Sequence, residues 1–400
     1  MVHLTICLPT RNRQAYCIET IKALADSDGH DFEVIVADNS DDPAPLADFL
    51  THDLKDSRFR LIPPAPSVLS MVDNWERTVE QAEGRWITVI GDDDYIDTRV
   101  AEVIRRYEVL YRNVDAISWE CMTFQWPDNR PVPTLARIPL ASEARILSRQ
   151  ALGDRLFRWS ERKRRPSVGV GIYHGAIKRS LMERIKQVCG GRYFEHPNVD
   201  WENTCKVVAQ ANVIVQSQRP FSVLGACAAS NSAGSLSLQT MKTRNAAFEK
   251  ESTGSISLLQ PFFPFSLADA GASLCISIAT TTAWFCHSYG ADLSGFGANF
   301  AHAAMDECRY SHTREEYDAK VDCFARGFAE WDDGKWAAIF KPPAFSPPKS
   351  VNQLSGVTDD ALHVREAAIR PTTPAEFYRF GENAIIPVEN LLAGTKVFAL

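Results

Sequence analysis

The ten cysteines of this 400-residue chain include no C-x-x-C pair and no zinc-type spacing to histidine. Neither a disulfide framework nor a structural zinc is indicated, and the cysteines are expected to be reduced residues of a cytoplasmic protein. Basic residues are not in excess. Lys and Arg number 43 against 50 Asp and Glu, a formal net charge of -7. That balance excludes a protein whose main task is binding nucleic acid, while leaving room for a local basic site. The start lacks a basic segment followed by an apolar one, so its short apolar run reads as a strand rather than a secretory leader. A long membrane-spanning run is also missing. The charge-free stretch Ala270 to Phe285 carries several Ser and Thr and falls short of the roughly 20 apolar residues a bilayer needs. A buried helix is expected there, with peripheral membrane contact as the lesser alternative. No internal repeat is present.

What is there suits a globular protein: 45% of residues are hydrophobic and 23% charged. The first hundred residues alternate regularly. His3 to Leu8, Phe32 to Ala37, Phe59 to Ile62 and Trp86 to Ile90 are strand-like apolar runs. Between them, Ala15 to Ala25, Leu46 to Leu54 and Ser70 to Ala82 have helical spacing. This alternation predicts an α/β sheet, mostly parallel and flanked by helices, with ligands at the carboxyl ends of the strands. Further on, Asp97 to Leu110 and Arg179 to Val188 read as helices, and a helix opens near Asp200 and runs to Gln210. Ala116 to Thr123, Val168 to His174 and Val213 to Gln216 read as strands. Beyond Ser230 strand periodicity fades, and Ser266 to Phe285, Phe296 to Cys308 and Tyr317 to Trp331 favour helix. The expected division is therefore 1–230 and a mainly helical C-terminal region, 231–400. Lys341 to Pro348 marks a linker or an irregular crossing.

The strongest chemical feature is Gly91-Asp92-Asp93-Asp94, which ends the fourth strand. Three adjacent carboxylates repel one another, and in a cleft they invite a hard divalent cation, Mn2+ or Mg2+, which prefers oxygen ligands. A solvated acidic turn, or acids at the start of the following helix, would account for them equally well.

The context of the triplet adds to it. Thr5-Ile-Cys-Leu-Pro-Thr-Arg-Asn12, Val34-Ile-Val-Ala-Asp-Asn-Ser40, Asn74 with Ala82-Glu-Gly84, and the triplet follow one another in order. Through these pieces residues 4 to 96 resemble the donor-binding half of the family 2 glycosyltransferases. The resemblance implies the GT-A (Rossmann-like) fold and an inverting transfer of a hexosyl or N-acetylhexosaminyl group. The donor would be a UDP-sugar used with Mn2+ or Mg2+, and the acceptor a hydroxyl of a carbohydrate or glycoconjugate, as in polysaccharide biosynthesis. It places Pro9 and Thr10 at the nucleoside pocket and gives Asp38 the uracil N–H. Asn74 falls within the donor-binding set. Asp92 goes to the ribose or sugar side, Asp93 and Asp94 to the metal motif with Asp94 as direct ligand, and Arg11 or Arg13 to a phosphate. The family usually has a residue other than Asp in the middle of the motif, so the register across the triplet stays open. Asp38 could instead cap its own turn.

An inverting transfer also needs a base, which in the family lies roughly a hundred residues after the metal motif. Glu195-His-Pro-Asn-Val-Asp-Trp-Glu202 sits at that distance, with Asp200 the choice and Glu202 and Glu195 in reserve. Asp200 could also be a plain helix cap. The basic stretch Arg155 to Arg165 could cover a diphosphate, touch an anionic acceptor or lipid, or be a solvated loop. Trp201, Trp331 and Trp336 could stack on an acceptor sugar or simply pack. Two other functions remain. A nucleotidyltransferase is disfavoured because no glycines follow the first strand, and a non-catalytic nucleotide-sugar- or carbohydrate-binding relative would lack the base. The C-terminal region is expected to serve acceptor choice or homo-oligomerisation.

Overall fold

In the computed structural model the described residues are 2–130, 135–230, 238–251, 262–271, 273–347, 355–358 and 360–394. The strands are β1 (Leu4–Thr10), β2 (Phe32–Asp38), β3 (Phe59–Leu61), β4 (Trp86–Val89), β5 (Tyr95–Ile96), β6 (Val114–Gln125), β7 (Leu135–Pro139), β8 (Ala144–Leu147), β9 (Gly175–Lys178), β10 (Val213–Ala226), β11 (Gly356–Thr358) and β12 (Ala361–Arg365). The helices are α1 (Gln14–Ala25), α2 (Ala44–Asp48), α3 (Met71–Glu80), α4 (Val100–Leu110), α5 (Arg149–Phe157), α6 (Arg179–Val188), α7 (Val199–Gln210), α8 (Leu238–Glu251), α9 (Leu267–Ala270), α10 (Leu274–Tyr289), α11 (Phe296–Cys308), α12 (Arg314–Glu330), α13 (Pro374–Glu382) and α14 (Val388–Gly394).

One sheet runs in the order β11-β12-β7-β6-β9-β4-β1-β2-β3. It is parallel where the alternating pattern holds, from β4 through β1 and β2 to β3, and again between β6 and β10. Elsewhere it is antiparallel, with β9 between β4 and β6. β1 and β2 are buried almost throughout, which is why they read as continuous apolar runs. Their register pairs Thr10 with Asp38, so the polar ends of the two strands lie side by side. α1 and α4 pack Cys17, Ile21, Leu24, Ile104 and Tyr107 into one core. α3, α6 and α7 pack into another on the opposite face, with Val79, Ile185 and Val207.

Val168 to His174 does not form the expected strand. Gly169 and His174 have positive φ (56° and 50°), and the chain turns there before β9 begins at Gly175. The glycines at 169, 171 and 175 free the backbone from the extended path that the intervening apolar residues suggest. Ser266 to Phe285 is not one helix either, because Gly271 at φ 74° ends α9 before α10 starts.

The C-terminal region divides. α9 to α12 build a separate core in which Phe265, Phe296, Phe300, Phe324, Phe328 and Trp331 interlock. Residues 356–394 return to the sheet instead. β12 pairs with β7, and Phe377, Tyr378, Val388 and Leu391 of α13 and α14 join the core of α1 and α4. These segments are short and mostly polar outside, so periodicity alone does not assign them to the first domain. Among the described residues no helix is long and apolar enough to cross a membrane, and α10 is largely buried against protein. All ten cysteines are free thiols.

Candidate active site

The site forms where β1, β2 and β4 end. α1 begins at once after β1, with Arg13 as its N-cap residue. Arg13 turns into the acidic triplet, 2.8 Å from Asp92 Oδ1 and 3.5 Å from Asp93 Oδ1. Thr20, further along α1, donates 3.0 Å hydrogen bonds to the carbonyls of Asp92 and Asp94 and pins the triplet's backbone. The solvated-turn reading therefore fails, since Asp92, Asp93 and Asp94 are 0%, 4% and 1% exposed.

Each carboxylate has a different environment. Asp92 accepts from Thr10 Oγ1 at 2.6 Å and pairs with Arg13. Burial pushes its pKa up to about 7, against the pull of Arg13. Asp93 accepts from the backbone N–H of Cys227 at 3.2 Å and from the Ser230 hydroxyl, and its other oxygen is toward Arg13. Asp94 is enclosed. Oδ2 accepts from Gly91 N–H (2.7 Å), Tyr173 O–H (2.7 Å) and His174 Nε2 (2.9 Å), and Oδ1 from Gly225 N–H (2.7 Å). Burial penalises its charge, yet with His174 and Tyr173 bound the carboxyl lies below its ordinary pKa. Gly225 approaches so closely that a Cβ there would lie 1.8 Å from the Asp93 carbonyl oxygen.

A cavity of about 480 Å3 opens in front of this cluster, and Pro9, Arg13, Asp93, Ser230 and Asp200 are among its walls. Four residues singled out from the sequence (Pro9, Arg13, Asp93 and Asp200) thus meet across one space. Others do not reach it. Thr10 and Asp92 are turned toward each other. Asp94, expected as the metal ligand, is hydrogen-bonded to four internal donors and does not line the cavity, whereas Asp93 does. Arg11 is exposed at the strand end and lines no wall of this cavity. Asn74 is buried as a brace, with its Nδ2 donating to Ala37 O and its Oδ1 accepting from Arg77. Arg77 in turn donates to the carbonyl of Asp38, so Asn74 supports the end of β2 rather than facing the cavity.

Asp38 serves two ends. Oδ1 accepts the Ser40 N–H at 2.9 Å, which is the turn-capping contact. Oδ2 is buried and accepts no hydrogen bond from any described residue, in a side chain only 3% exposed. An unpaired buried carboxylate oxygen costs about 1–3 kcal/mol, which a ligand N–H would offset.

Asp200 lies in the first turn of α7, but Asn198 is the N-cap residue, so the capping account of Asp200 fails. Its Oδ1 accepts the N–H of the next residue, Trp201, at 2.9 Å. Burial raises its pKa above the ordinary aspartate value, which makes it a better proton acceptor than a free carboxylate. The reserve acids are used structurally. Glu202 pairs with Lys206 at 2.6 Å and accepts the N–H groups of Glu195 and His196. Glu195 pairs with Lys206 and accepts from Tyr289 O–H. His196 is buried against Trp284, and burial lowers its pKa to about 3.

The helical region helps to hold this arrangement. Asn198 Nδ2 donates to Ser277 Oγ (3.0 Å) and Thr281 Oγ1 (3.1 Å) of α10, fixing the start of α7. Tyr173, His174 and Ser230 were missed in the sequence because irregular backbone brings them in, and Gly225 because β10 runs on to Ala226, well past the expected strand end at Gln216. The glycine spacing around 169–175 was the one available signal. Among the described residues no group of three His, Cys, Asp or Glu could by itself hold a metal ion. Asp93 could supply a single carboxylate ligand, with any remaining ligands coming from donor phosphates and water.

A sheet of this order, with an acidic triplet at a strand end and a carboxylate facing it across a cavity, defines the GT-A class of glycosyltransferases. Sequence comparison makes the class specific. Residues 5–154 match the family model described as Glycosyl transferase family 2. No curated protein matches the sequence. Among solved structures, Staphylococcus aureus TarS 1–349 in complex with UDP-GlcNAc covers 84% of this chain and 84% of its own, at 13% identity and a TM-score of 0.49. The Pyrobaculum calidifontis mannosyltransferase PcManGT, in complex with GDP-Man and Mn2+, also covers 84% of each chain, at 13% identity and a TM-score of 0.37.

Proposed function

We propose that this glycosyltransferase is inverting and takes its sugar from a UDP-sugar, with Asp200 as general base and Asp93 as the protein ligand of a divalent cation. The observation that carries the reading is the shared cavity. Arg13 and Asp93 stand at the strand ends on one side of it, and Asp200, with its raised pKa, on the other. Asp38 Oδ2, unpaired at the end of β2, suits the uracil N3–H. Arg13 suits the diphosphate, because it already neutralises Asp92 and remains near Asp93. A bound Mn2+ or Mg2+ would offset charge building on the departing diphosphate. Asp200 would accept the acceptor hydroxyl's proton as the new glycosidic bond forms and the bond to the diphosphate breaks.

The test is transfer by the purified full-length protein from a panel of nucleotide sugars, followed by proton NMR of the product's anomeric signal. The reading expects UDP-sugar turnover and an inverted anomeric configuration. Turnover only with another nucleotide, or retention of configuration, would overturn it.

A further inference from the structure

Asp200 faces two spaces. Behind the cavity already described lies a second, of about 500 Å3, and Tyr173, Asp200 and Leu224 line both. The carboxylate thus stands in the partition between them. An attacking hydroxyl must reach Asp200 from the side away from the leaving diphosphate, and the second cavity offers that approach.

The lining of this cavity is rich in arginine. Arg145 from β8, Arg155 from α5 and Arg165 from the loop after it line it together. Among the described residues Arg145 donates to the neutral Gln216 alone, and Arg155 donates to Ser167 O with Glu161 no closer than 3.9 Å. Arg165 is exposed on the loop. The acids in the lining are Asp200 itself and Glu120, which already has Arg137 at 3.4 Å. The same loop also contributes Arg162 and Lys163 to a separate recess of about 310 Å3, lined as well by Arg309, Lys341 and Asp306.

We infer that the second cavity is the acceptor site, and that the acceptor carries an anionic group, phosphate or carboxylate, close to the hydroxyl that is glycosylated. The inference rests on the assignment of Asp200 as base. The hydroxyl enters beside Asp200 and gives it a proton. Its oxygen bonds to the anomeric carbon, and the nucleoside diphosphate leaves into the first cavity. The anion is held by Arg145, Arg155 and Arg165, whose guanidinium groups suit the paired oxygens of phosphate and carboxylate.

The experiment measures binding by calorimetry at low salt with three probes: glycerol-phosphate oligomers, uronic acid oligosaccharides and neutral glucose oligosaccharides of equal length. One or both anionic probes should bind, and the neutral one should not. Which anion binds separates phosphate from carboxylate. Arg145→Gln and Arg165→Gln should each weaken binding by about tenfold, the loss expected of one charge-assisted contact. Arg158→Gln, in the same basic stretch but paired with Asp292 at 2.5 Å and outside the cavity, should leave it unchanged. Equal binding of the neutral probe, no binding of any probe, or unaltered binding in both cavity variants would overturn the inference. Failure of the donor reading is scored separately, by whether UDP-sugars raise the unmodified protein's melting temperature.

Discussion

Asp200→Asn removes the proposed base while keeping its shape. The Asn carbonyl can still accept the Trp201 N–H that Asp200 Oδ1 accepts at 2.9 Å, and the N-cap contacts of Asn198 do not involve this side chain. Folding should therefore be unaffected, with a melting temperature within about 2 °C of the parent. Loss of a positioned general base lowers turnover by about 100- to 10,000-fold. At about 1.4 kcal/mol per factor of ten, that raises the barrier by roughly 3–5 kcal/mol. The assay is release of nucleoside diphosphate with acceptor present, read as kcat and donor KM separately. Turnover should fall with donor KM nearly constant. The parent's pH profile gives a second readout. A base works deprotonated, so activity should fall as pH drops through the pKa of Asp200, with the acid limb centred above the ordinary aspartate value of 3.8 because burial raises it. If Asp200→Asn keeps turnover within threefold of the parent, the base has been misassigned.

Four further variants have expected outcomes. Asp38→Asn keeps the turn through its carbonyl but replaces the unpaired carboxylate oxygen, so UDP affinity should fall by about 10- to 100-fold without loss of stability, measured by calorimetry and thermal melting. Glu202→Gln breaks a fully buried pair with Lys206, which retains Glu195, and should cost about 2–4 kcal/mol in denaturant unfolding. Asp94→Asn sets an amide among the donors Gly91, Tyr173, His174 and Gly225, and should destabilise the fold by about 3–5 kcal/mol, whereas Asp93→Asn should mainly weaken metal-dependent donor binding.

The parallel half of the fold was legible because its strands are buried on both faces and its helices carry one apolar stripe. β1, β2, β4, α1 and α3 fall within a few residues of their expected bounds. The order of polar residues at strand ends was legible for the same reason, since parallel topology gathers them at one edge. The division of labour within the triplet was not. Three identical side chains in a row differ only in the donors that surround them, and those come from Arg13, Tyr173, His174, Gly225 and Ser230, far apart in sequence. The return of residues 356–394 to the sheet was hidden as well, because β11 and β12 are three and five residues long and α13 follows a proline-bearing turn. The three tryptophans that could either stack on a sugar or pack divided in a comparable way. Trp201 lines the second cavity, while Trp331 and Trp336 pack in the helical core.

The most direct test of the donor site is the melting temperature of the full chain against UDP, GDP, dTDP and their sugars, with and without Mn2+, in the parent and in Asp93→Asn. A ligand that binds only the folded state raises the melting temperature in proportion to the logarithm of its concentration over its dissociation constant. The account predicts a rise with uridine nucleotides that grows with Mn2+ in the parent and loses its Mn2+ dependence in Asp93→Asn. A rise only with guanine or thymine nucleotides, or no rise with any of them, would contradict it.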